Sequence, residues 1–229
     1  MDLPTPPDPL HRGQQLPHQK REAPVRKRAG LEIRPRDKGT ENLVGFGAMG
    51  REGFLVPLKD FTIAKDRLRN GNLDATHIAK TLARGVLNEL AECNLLVVTE
   101  NPDVVTFASE SNVASFLSAK QGLNEVVQDA YDSLVADFTR ITIVHGDLRS
   151  PDGLQHFNTT SDVCIVTDRH NKGTNVLSLP TGLNFRFSYG EDSAQRHIAE
   201  AKRLGLRFEV ITDSPWGHDV DVPEDIDKM

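Results

Sequence analysis

Short apolar runs that alternate with helical periods leave this chain few folds to choose from. Phe54-Leu55-Val56-Pro57-Leu58 reads as the first core strand, Leu95 to Thr99 as a buried strand, and Ala114 to Leu117, Ile141 to Val144, Val163 to Val166 and Val176 to Leu179 as further strands. Between them, Ile78, Leu82, Val86 and Leu90 recur every fourth residue from Thr76 to Glu92, which marks an amphipathic helix capped by Asp74 or Thr76. A short helix follows Asp103, and a longer one from Leu123 to Ala136 turns Val126, Val127, Ala130 and Leu134 inward. Strands that alternate with helices predict a single α/β domain: a mixed, mostly parallel sheet with helices on both faces. Ligands then bind beyond the carboxyl ends of the strands.

The 229 residues suffice for one such domain with some excess, and composition places the excess at the start. Residues 1 to 40 hold seven of the thirteen prolines and almost no apolar periodicity. Residues 1–50 are therefore expected to be a disordered extension, of which residues 1–48 are dispensable, and residues 51–229 the domain. Gly45-Phe46-Gly47-Ala48-Met49-Gly50 spells a dinucleotide fingerprint, but no strand precedes it and no helix opens from it, so it reads as linker, with Met49 as an alternative start. The net charge of -6 divides unevenly, because residues 1–50 carry nine Lys/Arg against six Asp/Glu and the rest is acidic. An acidic body argues against a nucleic-acid partner. Cys93 and Cys164 lack metal-ligand spacing and read as buried free thiols, and no apolar run suffices to span a bilayer, so a cytoplasmic protein is expected.

Chemistry is concentrated where the strands empty into polar loops. After Val166 comes Thr167-Asp168-Arg169-His170-Asn171-Lys172-Gly173-Thr174-Asn175, and later Tyr189-Gly190-Glu191-Asp192-Ser193 leads into a helix carrying Arg196 and His197. Gly173 would let backbone approach a ligand, while Thr174 and Ser193 can bond to oxyanions, Ser193 at a helix N-terminus that favours negative charge. A phosphate group suits such a place. Lys59, Lys65 and Arg67 form a basic window after the first strand, either a cationic clamp or a solvated loop. Asp147 follows the strand ending at Val144, as a metal ligand or a helix cap. In an extended segment Asp219 and Asp221 share one face while Val220 points the other way, so the pair suits Mg²⁺ unless it is an acidic turn before a helix starting at Pro223 and Glu224. His170 and His197 are left out of the chemistry, the second as a packed core histidine.

Three motifs occur in order: D-R-H-x-x-G-T-N from Asp168, F-x-F-x-Y-G-x-x-S-x-x-R-H from Phe185, and D-V-D-x-P-E-D from Asp219. With them the chain, from about Phe54 to its end, resembles the guanylyltransferases of coenzyme F-420 biosynthesis. The resemblance implies a fold like that of nucleotide-diphospho-sugar transferases and transfer of GMP from GTP to a three-carbon phospho-acid. That acid is 2-phospho-L-lactate in archaeal members and phosphoenolpyruvate or 3-phospho-D-glycerate in bacterial ones. It further implies that Lys59 and Lys65 neutralise phosphates in the catalytic site, that Thr174, Gly190 and Ser193 bind the phospho-acid, and that Asp147, Asp219 and Asp221 hold Mg²⁺. The downstream transferase of the same pathway becomes a candidate partner. Related enzymes usually read D-L-P-L where this chain has Asp147-Leu148-Arg149-Ser150, which puts the shape of that loop in question. Two alternatives stand beside this reading: a D-x-D glycosyltransferase using a sugar nucleotide, and a non-catalytic nucleotide-binding protein.

Overall fold

The computed structural model describes residues 51–65, 68 and 73–226. The N-terminal extension, its glycine motif, Met49 and Arg67 lie outside the described residues.

Seven strands form one sheet in the order β3-β2-β1-β4-β6-β5-β7. They are β1 (Glu52–Pro57), β2 (Leu95–Thr99), β3 (Ala114–Leu117), β4 (Arg140–Val144), β5 (Val163–Thr167), β6 (Thr174–Pro180) and β7 (Phe208–Ile211). β1, β2, β3 and β4 run parallel, as do β5 and β7, whereas β6 is antiparallel to both neighbours. The sheet is thus mixed and mostly parallel, as the sequence pattern predicts.

The helices are α1 (Ala75–Glu89), α2 (Pro102–Glu110), α3 (Leu123–Ser133), α4 (Ser193–Arg203) and the short α5 (Pro223–Ile226). Asp74 caps α1 by accepting the His77 N–H, and Asn101 caps α2 through the Asp103 N–H. α1 and α3 end three residues before the apolar period suggests, because turns carry the last apolar positions, Leu90 and Leu134, into the core. Period-2 alternation divides the core between the two faces. Phe54, Val56, Val97 and Val144 pack against α1 and α2, while Leu55, Leu96, Val98 and Ile143 pack against α3 and α4. Cys164 is buried, and burial pushes its thiol up to about 11. Cys93, expected to be buried, is only partly so, because it follows the end of α1 at the rim.

The chain leaves β1 through α1 toward β2 on one side, and returns through α3 to β4 on the other. The connections diverge between β1 and β4, and such a point is where open α/β sheets bind ligands. No helix among the described residues is long and apolar enough to cross a membrane.

Candidate active site

Beyond the carboxyl ends of β1 and β4 lies a cavity of about 430 Å³ whose wall includes Lys59, Lys65, His145, Asp147 and Asp221. Its acidic corner is built by an extended segment laid against the loop after β4. Leu148 and Asp219 form an isolated antiparallel bridge, the Val220 N–H donates to Asp147 O (3.1 Å), and the Arg149 N–H donates to His218 O (2.8 Å). Proline at position 149 could not supply that last hydrogen bond. The departure from D-L-P-L therefore pins the loop to the D-x-D segment and leaves Asp147 in place. Val220 is fully buried beside Leu68, Ala75 and Leu82, so the alternation expected of Asp219-Val220-Asp221 is realised. Ligand oxygens of Asp147, Asp219 and Asp221 lie within 4.8 Å of one another.

Three carboxylates so close repel, and the structure relieves only part of that repulsion. The Lys65 ammonium donates to Asp147 Oδ2 (2.5 Å) and Asp221 Oδ1 (2.7 Å). Burial alone would lower the pKa of Lys65, but these carboxylates outweigh it and hold the ammonium above the usual lysine range. Burial likewise pushes the Asp147 carboxyl up, and Lys65, with lesser help from His145, more than reverses it. Asp219 is pushed up to about 7 by burial first and then by the charges of Asp147 and Asp221. Asp147 Oδ1 is buried without a hydrogen-bond partner among the described residues. An all-oxygen donor set with an unpartnered carboxylate oxygen and an unrelieved third carboxyl fits a hard divalent cation. Of the two predicted lysines, exposed Lys59 faces the cavity, whereas Lys65 already bridges two acids.

Thr174 and Ser193 also come together, though not on the cavity wall. Both are 2 % exposed; the Ser193 hydroxyl donates to Thr174 Oγ1 (3.4 Å), which lies 3.0 Å from His197 Nδ1. His197 Nε2 accepts the Ser188 N–H (3.1 Å), so its proton sits on Nδ1 and is donated to Thr174. Burial lowers the pKa of this ring to about 3 and keeps it neutral, as befits the packed histidine expected from sequence. Gly190 adopts a positive φ of 113°, and its carbonyl accepts the Ser193 N–H, while the Ala194 N–H donates to Lys172 O. Two N–H groups of the α4 N-terminus that the sequence offered to a phosphate are thus taken up by protein carbonyls. Gly173 also differs from expectation: a Cβ there would lie 2.8 Å from Asp168 Oδ2. Its missing side chain makes room for Asp168, whose Oδ1 accepts the His170 and Lys172 N–H groups, rather than for a ligand.

Arg169 and Asp225 were not singled out by residue type, yet they join two motifs. Arg169 is paired with Asp225 through both carboxylate oxygens (2.9 and 3.2 Å) and also donates to Asp219 O (3.0 Å). Asp225 Oδ2 accepts the Asp221 and Val222 N–H groups (2.9 and 3.1 Å). The clamp holds the backbone of both D-x-D aspartates, and an opposite charge in each motif was the available signal.

Residues 53–229 match the family described as guanylyl transferase CofC like. The chain belongs to that family. It is therefore a nucleotidyltransferase of the guanylyltransferase kind, which displaces the glycosyltransferase and non-catalytic alternatives. The chain is 29% identical over 186 residues to a phosphoenolpyruvate guanylyltransferase from Chloroflexus aurantiacus, covering 74% of this chain and 89% of the relative. It is 21% identical over 183 residues to a 2-phospho-L-lactate guanylyltransferase from Methanocaldococcus sp. FS406-22, covering 76% and 79%. Among solved structures, a candidate nucleotide-diphospho-sugar transferase from Desulfovibrio desulfuricans G20 superposes with a TM-score of 0.58 at 18% identity, over 78% of this chain and 85% of that one. The last likeness supports the expected fold.

Proposed function

We propose that this guanylyltransferase joins the GMP part of GTP to the phosphate of a three-carbon phospho-acid in coenzyme F-420 biosynthesis, releasing diphosphate in the cytoplasm. Phosphoenolpyruvate is favoured over 2-phospho-L-lactate and 3-phospho-D-glycerate, on the strength of the bacterial phosphoenolpyruvate relatives. The product would pass to the downstream transferase of the same pathway. The observation that carries the reading is the buried, unpartnered Asp147 Oδ1 beside Asp219 and Asp221, at the mouth of a cavity that also presents Lys59.

In the reaction a phosphate oxygen of the acid attacks the α-phosphorus of GTP in line; that P–O bond forms as the bond to the β-phosphate bridge breaks. A phosphate monoester with a second pKa of about 6 is already mostly ionised at pH 7, so no protein base is needed to make the nucleophile. The task is to hold two polyanions together, and positioning with charge neutralisation performs it. Lys59 supplies positive charge from the cavity wall, and Lys65 holds Asp147 and Asp221 in a common orientation. Asp147, Asp219 and Asp221 would hold Mg²⁺, which when bound neutralises phosphate charge. Thr174 and Ser193, buried off the cavity wall, would support the acceptor site through His197 rather than touch the acid, with Gly190 completing the turn before them.

Diphosphate release measured with GTP against each of the three acids tests the reading. Phosphoenolpyruvate is expected to give the highest kcat/KM; no release with any acid would end the proposal, and a clearly higher value for another acid would end the ranking.

Cation binding should also show in the thermal stability of the enzyme. With the Asp219 carboxyl raised to about 7 from an unfolded value of about 3.9, the metal-free fold retains a proton that the unfolded chain has lost, and its stability falls as pH rises through that window. A cation must displace that proton below pH 7 but not above it. The rise in Tm on adding millimolar Mg²⁺ is therefore expected to be larger at pH 8 than at pH 6. Equal shifts at both would show that Asp219 does not bind the ion.

A further inference from the structure

Two buried polar atoms, one in the cavity wall and one behind it, have no role in the account so far. His145 Nε2 and the Tyr189 hydroxyl are both buried without a hydrogen-bond partner among the described residues, and their rings lie 5.1 Å apart. Buried polar groups in folded proteins are paired almost without exception, so two neighbouring unpaired ones point to a ligand. His145 stands in the cavity wall two residues before Asp147, and Tyr189, 6 % exposed, stands behind it. Asn124 fixes Tyr189 from both sides, accepting its N–H (2.6 Å) and donating to its carbonyl (3.2 Å), so its backbone is held in this position. His197 also packs edge-on against Tyr189 at 4.9 Å and leads to Thr174 and Ser193.

We propose that His145 Nε2 and the Tyr189 hydroxyl form the polar floor of the acceptor subsite and hydrogen-bond the carboxylate of the phospho-acid. The inference rests on the proposed function, because that reading supplies an acceptor with two anionic ends. Its phosphate belongs at the acidic corner, where Asp147, Asp219 and Asp221 would hold a divalent cation. Its carboxylate, a few bonds away, then meets an imidazole and a phenol, each able to donate one hydrogen bond to an anion. A guanine base could use the same donors, and the kinetic constants of the two substrates separate the cases.

The test uses the full chain with Tyr189→Phe, His145→Leu and His145→Gln. Diphosphate release is measured against GTP and each phospho-acid, and Tm is measured without substrates. Tyr189→Phe and His145→Leu are expected to raise KM for the acid tenfold or more and to leave KM for GTP within twofold. His145→Gln, which still presents an amide donor, should recover part of the loss. Tyr189→Phe should melt no lower than the parent, because the deleted hydroxyl has no partner in the free protein. An unchanged KM for the acid overturns the inference, as does a rise confined to GTP, or a lowered Tm with both constants rising together. If the parent itself releases no diphosphate with any acid, the functional reading falls first and the acceptor subsite with it; an active parent with kinetically silent variants removes the subsite alone.

Discussion

Asp219→Asn and Asp221→Asn are each expected to lower turnover by a factor on the order of a thousand or more, since in the proposed reaction each would remove a charge that holds Mg²⁺ against the phosphates and several kcal/mol of transition-state neutralisation with it. The two variants should part company in stability. Among the described residues no ammonium is bonded to Asp219, and its charge is opposed by Asp147 and Asp221, so in EDTA at pH 8 Asp219→Asn should melt as high as the parent or higher. Asp221 accepts from Lys65 at 2.7 Å, and its loss leaves the ammonium on Asp147 alone, so Asp221→Asn should melt slightly lower. If the pair were turn residues before α5, both variants would lose about 1 kcal/mol of stability and keep near-normal turnover. Diphosphate release and thermal melting on the same samples decide between these outcomes, and near-normal turnover in both would remove the cation from the site.

What could be read in advance follows from which interactions are local. Six of the seven strands and the helices are legible because burial imposes periods of two and of about four on neighbouring residues, whereas the edge strand β7, exposed over half its length, gives no such signal; the same logic places Asp219 and Asp221 on one face with Val220 inside. The direction of β6 was less open to reading, since a continuous apolar run such as Val176 to Leu179 carries no sign of its orientation. Pairing across the chain was not legible at all. Lys65 lies 82 residues from Asp147, and nothing in its surroundings says that it bridges acids rather than phosphates. Thr174 and Ser193 do come together, but His197 donates to the Thr174 hydroxyl, which in turn accepts from Ser193, so a protein side chain and not a ligand engages them. Gly173 shows the same limit in miniature: its small size serves the Asp168 side chain five residues earlier, a contact that only the folded loop reveals.

The clamp between Arg169 and Asp225 should act on the reaction only through the cation site. Neither side chain lines the cavity, yet Arg169 holds the Asp219 carbonyl and Asp225 holds the Asp221 N–H, so together they fix the spacing of the two carboxylates. Asp225 is 6 % exposed, and burial alone would raise its carboxyl pKa, but the Asp221 and Val222 N–H groups and Arg169 hold it below the usual range. Breaking such a pair leaves a partner charge poorly solvated, and Arg169→Ala or Asp225→Asn is expected to lower stability by about 2 kcal/mol. A purely structural role would end there. Because the clamp sets the D-x-D geometry, the Mg²⁺ concentration giving half-maximal turnover should also rise, about tenfold or more, while turnover at saturating Mg²⁺ recovers most of its parental value. Arg169→Lys keeps the charge but not the fork that spans both Asp225 oxygens and the Asp219 carbonyl, so it should fall between. Titrating Mg²⁺ in the diphosphate assay for all three variants, below their melting temperatures, gives the answer: a lowered Tm with an unchanged Mg²⁺ dependence would reduce Arg169 and Asp225 to scaffolding.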